Sequence, residues 1–134
     1  MKLQKPNIDK LPKTLKHVSL WQNRDSIFAS GLLPNVGGTY LNYWLRTYPD
    51  ESLRPTIFLC AGIYTVINKG FERQFDVWEI NTEDLDLNHL YEDPAFEHSR
   101  KKSYMYFKGI PPNCLTLTRK SQYYNVFLNR KNVK

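Results

Sequence analysis

Cysteine is scarce: only Cys60 and Cys114 occur, each inside an apolar segment, where a free thiol behaves as a small hydrophobe. Two residues make no disulfide scaffold, and intracellular thiols normally stay reduced. Histidine is scarce as well. His17, His89 and His98 have no Cys-x-x-Cys or His-x-x-x-His partner, so spacing assembles no zinc-ligand set and no metal is expected. Long apolar runs are also missing. The longest, Ile57 to Ile67, is broken by Gly62 and Thr65 and falls far short of the roughly 20 residues that cross a bilayer. Met1 to Lys16 alternates lysines with prolines and lacks the apolar stretch of a signal peptide. The expectation is a cytoplasmic protein that engages no membrane.

What remains is an ordinary globular balance. Of 134 residues, 41% are hydrophobic and 24% charged, which sets the chain apart from disordered sequences of low hydrophobicity and high charge. A chain this long makes one domain and buries roughly two thirds of its unfolded surface. The net charge of +6 and pI of about 9.3 suit a polyanionic partner such as nucleic acid. The excess is concentrated in Lys2 to Lys16, in Arg100-Lys101-Lys102 and in Arg119 to Lys134, and such runs serve as solvated faces about as often as binding sites.

Residues 1–14 read as a basic arm, because Pro6 and Pro12 disfavour helix, and residues 15–134 as the single domain. Leu15 to Leu20 alternates as a strand with His17 and Ser19 on one face and Val18 and Leu20 on the other. Arg24 to Ser30 suits a short helix, with Asn23 as N-cap and Gly31 as its stop. Leu32 to Tyr40 is rich in turn-formers, and the aromatic stretch Tyr40 to Tyr48 has no clear period. Thr56 to Cys60 predicts a strand, Ala61 to Lys69 a helix, and Phe75 to Ile80 the most regular strand of all. Asn81 to His89 predicts a turn and a short extended piece, and Tyr91 to Arg100 a loop or frayed helix. Further strands are expected at Ser103 to Gly109, Cys114 to Thr118 and Gln122 to Leu128, with a turn at Pro111-Pro112.

Four segments in this order resemble ADP-ribosyltransferase-like domains. They are His17-Val18-Ser19 with Ile27 to Pro34, Thr56 to Cys60, Phe75 to Ile80 followed by Leu85-Asp86, and Tyr104 to Leu115 with its Ile-Pro-Pro turn. The last is similar to a segment of RNA 2′-phosphotransferases and DNA-modifying ADP-ribosyltransferase toxins. The resemblance covers about residues 15–118. It implies an α+β fold of split, strongly twisted, antiparallel-rich sheets with short helices, and NAD as the bound substrate.

The resemblance places His17 and Ser19 on the ribose and nicotinamide amide of NAD, where an imidazole can donate to a ribose hydroxyl. A partly buried histidine satisfied by a carbonyl is the competing reading. Phe58 falls at the second motif position, as a flat ring that could stack on nicotinamide or as a core aromatic. The third motif position, a glutamate in active relatives, falls on Lys102-Ser103, so Ser103 is the residue in the catalytic place. Glu92, Asp93 and Glu97 lie upstream, Glu97 being the candidate acid under a shifted register. Arg54, before the second motif strand, is the candidate arginine for a phosphotransferase-type site. The implied function is binding of NAD, with weak or lost transfer of ADP-ribose to a nucleic acid or protein acceptor. The alternative is a non-catalytic protein using the same fold for assembly or nucleic-acid binding.

Overall fold

The aromatic and β-branched residues of Phe75–Ile80 suit a strand covered on both faces, and Asp76, Val77, Trp78 and Ile80 are all buried. The computed structural model describes residues 3–35, 54–62, 75–93 and 103–121. Within them lie β1 (Thr14–Leu20), α1 (Arg24–Ser30), β2 (Ile57–Cys60), β3 (Phe75–Asn81), β4 (Leu90–Glu92), β5 (Ser103–Tyr106) and β6 (Thr116–Arg119). The six strands make one sheet in the order β4-β5-β2-β1-β3-β6, and every pairing is antiparallel. The architecture is α+β, a single antiparallel sheet whose two halves, β4-β5-β2 and β1-β3-β6, are joined at one register position between β1 and β2. Tyr40–Tyr48, residues 63–69 of the expected helix and Gln122–Leu128 lie outside the described residues.

β1 and β3 pair over seven residues, from Thr14↔Asn81 to Leu20↔Phe75. That register puts Leu15 beside Ile80, His17 beside Trp78 and Ser19 beside Asp76. The seemingly polar face of β1 is therefore its core face, because facing residues across an antiparallel pair share a side of the sheet. Leu15, Ile80 and Trp78 are buried there with Ile57 and Leu59 of β2, Tyr104 and Tyr106 of β5, and Leu90 of β4. Val18 and Leu20 are half-buried on the opposite face. Tyr106 satisfies its phenol by accepting from the Asp86 N–H at 2.9 Å, as a buried hydroxyl requires.

α1 lies across the core face, with Ile27 buried in the cluster and Phe28 meeting Trp78 edge to face at 5.0 Å between ring centres. Its first residue, Arg24, is buried and binds Asp76 of β3 with both nitrogens of its fork, Nε to Oδ2 at 2.8 Å and Nη2 to Oδ1 at 2.6 Å. The Ser121 N–H donates to the same carboxylate at 2.7 Å. The helix stops at Gly31, whose φ of 76° is open to glycine without steric cost. The chain then bridges to Ile110 through paired 2.9 Å bonds from Leu32 N to Ile110 O and back.

Asn23 occupies the N-cap position but makes no side-chain cap bond. A 3-10 turn at Trp21–Asn23 leads directly into α1, so the Asn23 backbone is already helical. The expected arm is also different. Gln4 accepts from the Glu92 N–H at 2.8 Å and Lys13 from the Thr82 N–H at 2.9 Å; Leu11 packs on the core. Residues 3–13 thus belong to the domain, because proline-containing extended chain supplies carbonyls even where it cannot donate. A short 3-10 turn at Ile8–Lys10 interrupts this stretch. Among the described residues no helix is long and apolar enough to cross a membrane.

Candidate functional site

β1 joins β2 at a single register position, Lys16↔Cys60, in contrast to its seven pairings with β3. Past that point the two strands part, and a cleft of about 390 Å³ opens between them and α1. His17 and Ser19 of β1, Ser26 and Ser30 of α1, and Asn35 and Thr56 line it. Asn35 and Thr56 exchange backbone hydrogen bonds at 3.0 and 3.3 Å, which holds that part of the lining to the start of β2. Among the described residues that line the cleft, none is a carboxylate, lysine or arginine. Hydroxyls, amides and one imidazole are its polar groups.

His17 reaches across the parting strands, with Nδ1 2.8 Å from the Phe58 carbonyl oxygen. A carbonyl can only accept, so Nδ1 carries the proton and Nε2 of the neutral ring is an acceptor. Burial pushes the His17 pKa below its ordinary value of 6.5, opposed by the bond to the Phe58 carbonyl. Ser19 is held from the other side: Trp78 Nε1 donates to Ser19 Oγ at 3.0 Å. The serine's own proton then remains to be donated. The cleft lining therefore offers an acceptor at His17 and a donor at Ser19, the reverse of the role expected for the imidazole.

The lowered His17 pKa has a consequence for stability. Unfolding restores the ordinary value, so below about pH 6.5 the unfolded chain binds more protons at this residue than the folded chain. The stability contributed by the neutral, half-buried ring is present above that pH and is lost as pH falls towards the depressed folded value. Denaturation followed from about pH 8 to about pH 5 is expected to show this acid loss. His17→Asn, which retains a donor for the Phe58 carbonyl, should flatten it, and an unchanged slope would contradict the assignment.

Of the other sequence-predicted site residues, Phe58 borders the cleft, whereas Ser103 and Arg54 lie outside its lining. Phe58 supplies the carbonyl, but alternation along β2 sends Ile57 and Leu59 to the core face and the Phe58 side chain to the other. Phe58 pairs with Met105 of β5, and its side chain leaves β2 on the face opposite His17, so it gives the His17 side of the cleft no stacking platform. Ser103 is buried in β5, paired with Cys60, and its Oγ donates to the Leu59 carbonyl at 3.2 Å. A side chain so committed to the sheet is no catalytic hydroxyl in the cleft. Arg54 is exposed and lies over the Phe107 ring, 3.6 Å from its centre, outside the cleft lining. Glu97 lies outside the described residues.

Asn23, Ser26 and Ser30 line the cleft and were missed, although their i, i+3, i+7 spacing marks a polar stripe on the helix. Trp78 was missed as the residue that orients Ser19; nothing local in the sequence links the two. Among the described residues no group of three or more His, Cys, Asp or Glu gathers to hold a metal ion. Compared with known proteins, the chain matches no protein-family model and no curated protein.

Proposed function

We propose that the chain is an ADP-ribosyltransferase-like nucleotide-binding domain that seats the nicotinamide ribose of NAD between β1 and β2, with transfer of ADP-ribose weak or lost. The observation that carries this reading is the parting of β1 from β2 directly beside His17-x-Ser19. The lining is in keeping with it, since a ribose hydroxyl can donate to His17 Nε2 while the carboxamide oxygen of nicotinamide accepts from Ser19. Departure of nicotinamide builds positive charge on the ribose, which a carboxylate would stabilise. None of the described lining residues supplies one, and Ser103 is turned into the β2 edge. That favours binding without efficient turnover, and makes a non-catalytic role the second reading.

Calorimetric titration with NAD, with mass spectrometry for released nicotinamide, tests the proposal. Binding is expected for the wild-type chain. His17→Asn keeps the donor to Phe58 but removes the Nε2 acceptor; affinity should fall by roughly 2–12-fold, the equivalent of one hydrogen bond. Nicotinamide release should be slow, because a missing electrostatic group typically costs on the order of 10²–10³ in rate. Absence of any NAD binding would refute the proposal, and rapid turnover would refute its catalytic half.

A further inference from the structure

A second polar surface lies away from the cleft lining, at the β4 and β5 end of the sheet. Tyr91 of β4 and Phe107, just past β5, have ring centres 5.4 Å apart in a tilted arrangement. Two cations sit on this pair. The Lys5 ammonium is 4.4 Å from the centre of the Tyr91 ring, and the Arg54 guanidinium carbon is 5.7 Å from the same centre and 3.6 Å from that of Phe107. Lys5 is fixed there by donating to the Leu87 carbonyl at 2.7 Å. Arg54 is fixed at its backbone, where its carbonyl accepts from Thr56 Oγ1 at 2.6 Å.

Among the described residues no carboxylate balances these charges through an ion pair. The nearby Asp86 is engaged by Lys108 at 3.6 Å and His89 at 3.7 Å. Like charges gathered over one aromatic pair repel at a range that salt screens only beyond about 10 Å. Both cations are exposed, so an anion can approach and relieve that repulsion. The net charge of +6 acts in the same direction at long range.

We infer that Lys5, Arg54, Tyr91 and Phe107 form a docking surface for single-stranded nucleic acid. Phosphates meet the ammonium and the guanidinium edge, whose in-plane N–H groups suit phosphate oxygens. A guanidinium lying on a phenyl ring presents its outer plane to solvent, and an unstacked base can lie on that plane or against the aromatic pair. A duplex buries its base faces and fits this surface less well. The inference is independent of the NAD reading, because it uses none of the cleft residues.

Fluorescence anisotropy with a labelled oligothymidylate, across a salt series, is the test. Wild-type binding is expected to weaken steeply with salt. Arg54→Ala should weaken it by about tenfold and lower the slope of log K against log salt by about 0.7, the value of one phosphate contact on a single strand. Arg54→Lys keeps the charge and loses the plane, so it should retain the slope and lose several-fold in affinity. Lys120→Ala, an exposed charge elsewhere, should match wild type in affinity; circular dichroism of each variant verifies folding. The inference is overturned by no wild-type binding at low salt, by Arg54→Ala matching wild type, or by Lys120→Ala losing as much as Arg54→Ala. It is equally overturned if Arg54→Ala abolishes binding to anionic lipid vesicles and leaves oligothymidylate binding intact.

Discussion

Replacing Asp76 with alanine is expected to destabilise the domain by about 3–5 kcal/mol, the usual cost of stranding one member of a buried ion pair. Arg24 and Asp76 have side-chain exposures of 5% and 0%, so water cannot take over when the carboxylate is removed. The damage extends further, because Asp76 Oδ1 also accepts the Ser121 N–H. Three N–H donors, Nε and Nη2 of Arg24 and the Ser121 amide, would lose this acceptor, and the link between α1, β3 and the chain after β6 would be lost. Urea denaturation should show the midpoint fall by much of its value, given that a domain is stable by only about 5–15 kcal/mol. A loss under about 1 kcal/mol would show that the pair is hydrated in solution. A double variant, Arg24→Met with Asp76→Leu, removes both charges and should recover most of the loss, since apolar replacements of buried pairs are often neutral or better. The second variant also separates charge stranding from simple loss of packing.

That pair illustrates what the sequence could and could not disclose. Phe75–Ile80 was legible because its aromatic and β-branched residues favour a strand, and α1 because Gly31 ends it; both signals are local. Arg24 and Asp76 are 52 residues apart, and neither carries a mark of its partner. The same limit applies at the cleft. His17-x-Ser19 was visible as a spacing, but the proton on Nδ1 is fixed by a carbonyl 41 residues away, and the Ser19 donor role by Trp78, 59 residues away. For Phe58 the sequence allows both a stacking ring and a core aromatic, because its place in the order of motifs says nothing about register. Pairing with Met105 decides its face, and pairing is a property of the sheet. The arm differs for a related reason: Pro6 and Pro12 disfavour helix, but nothing local shows that the Gln4 and Lys13 carbonyls accept from Glu92 and Thr82.

Gly31→Ala should be comparably severe, and it should also alter the cleft. At φ 76° and ψ −165° the residue occupies a backbone region that is essentially restricted to glycine and costs on the order of 1–3 kcal/mol for other residues. Space compounds the strain. A Cβ built at Gly31 would lie 2.0 Å from the Ile110 carbonyl oxygen and 3.0 Å from Pro111 Cα, both backbone atoms that no rotamer change can move. Accommodating the methyl group requires the Leu32–Ile110 bridge to open, losing its two 2.9 Å hydrogen bonds and displacing two core residues, Leu32 and Ile110. Gly31, Leu32 and Leu33 line the cleft, so the same shift moves a wall past which a ligand must fit. Thermal unfolding of Gly31→Ala is expected to fall by well over the 4–8 °C that about 1 kcal/mol costs a small domain. Gly109→Ala is the control: its Cβ would meet the Leu32 carbonyl oxygen at 3.6 Å, ordinary contact in the same bridge, and it should change stability little. If the two variants melt together, the tight passage at Gly31 is relaxed in solution, and the cleft wall is not held as its geometry requires.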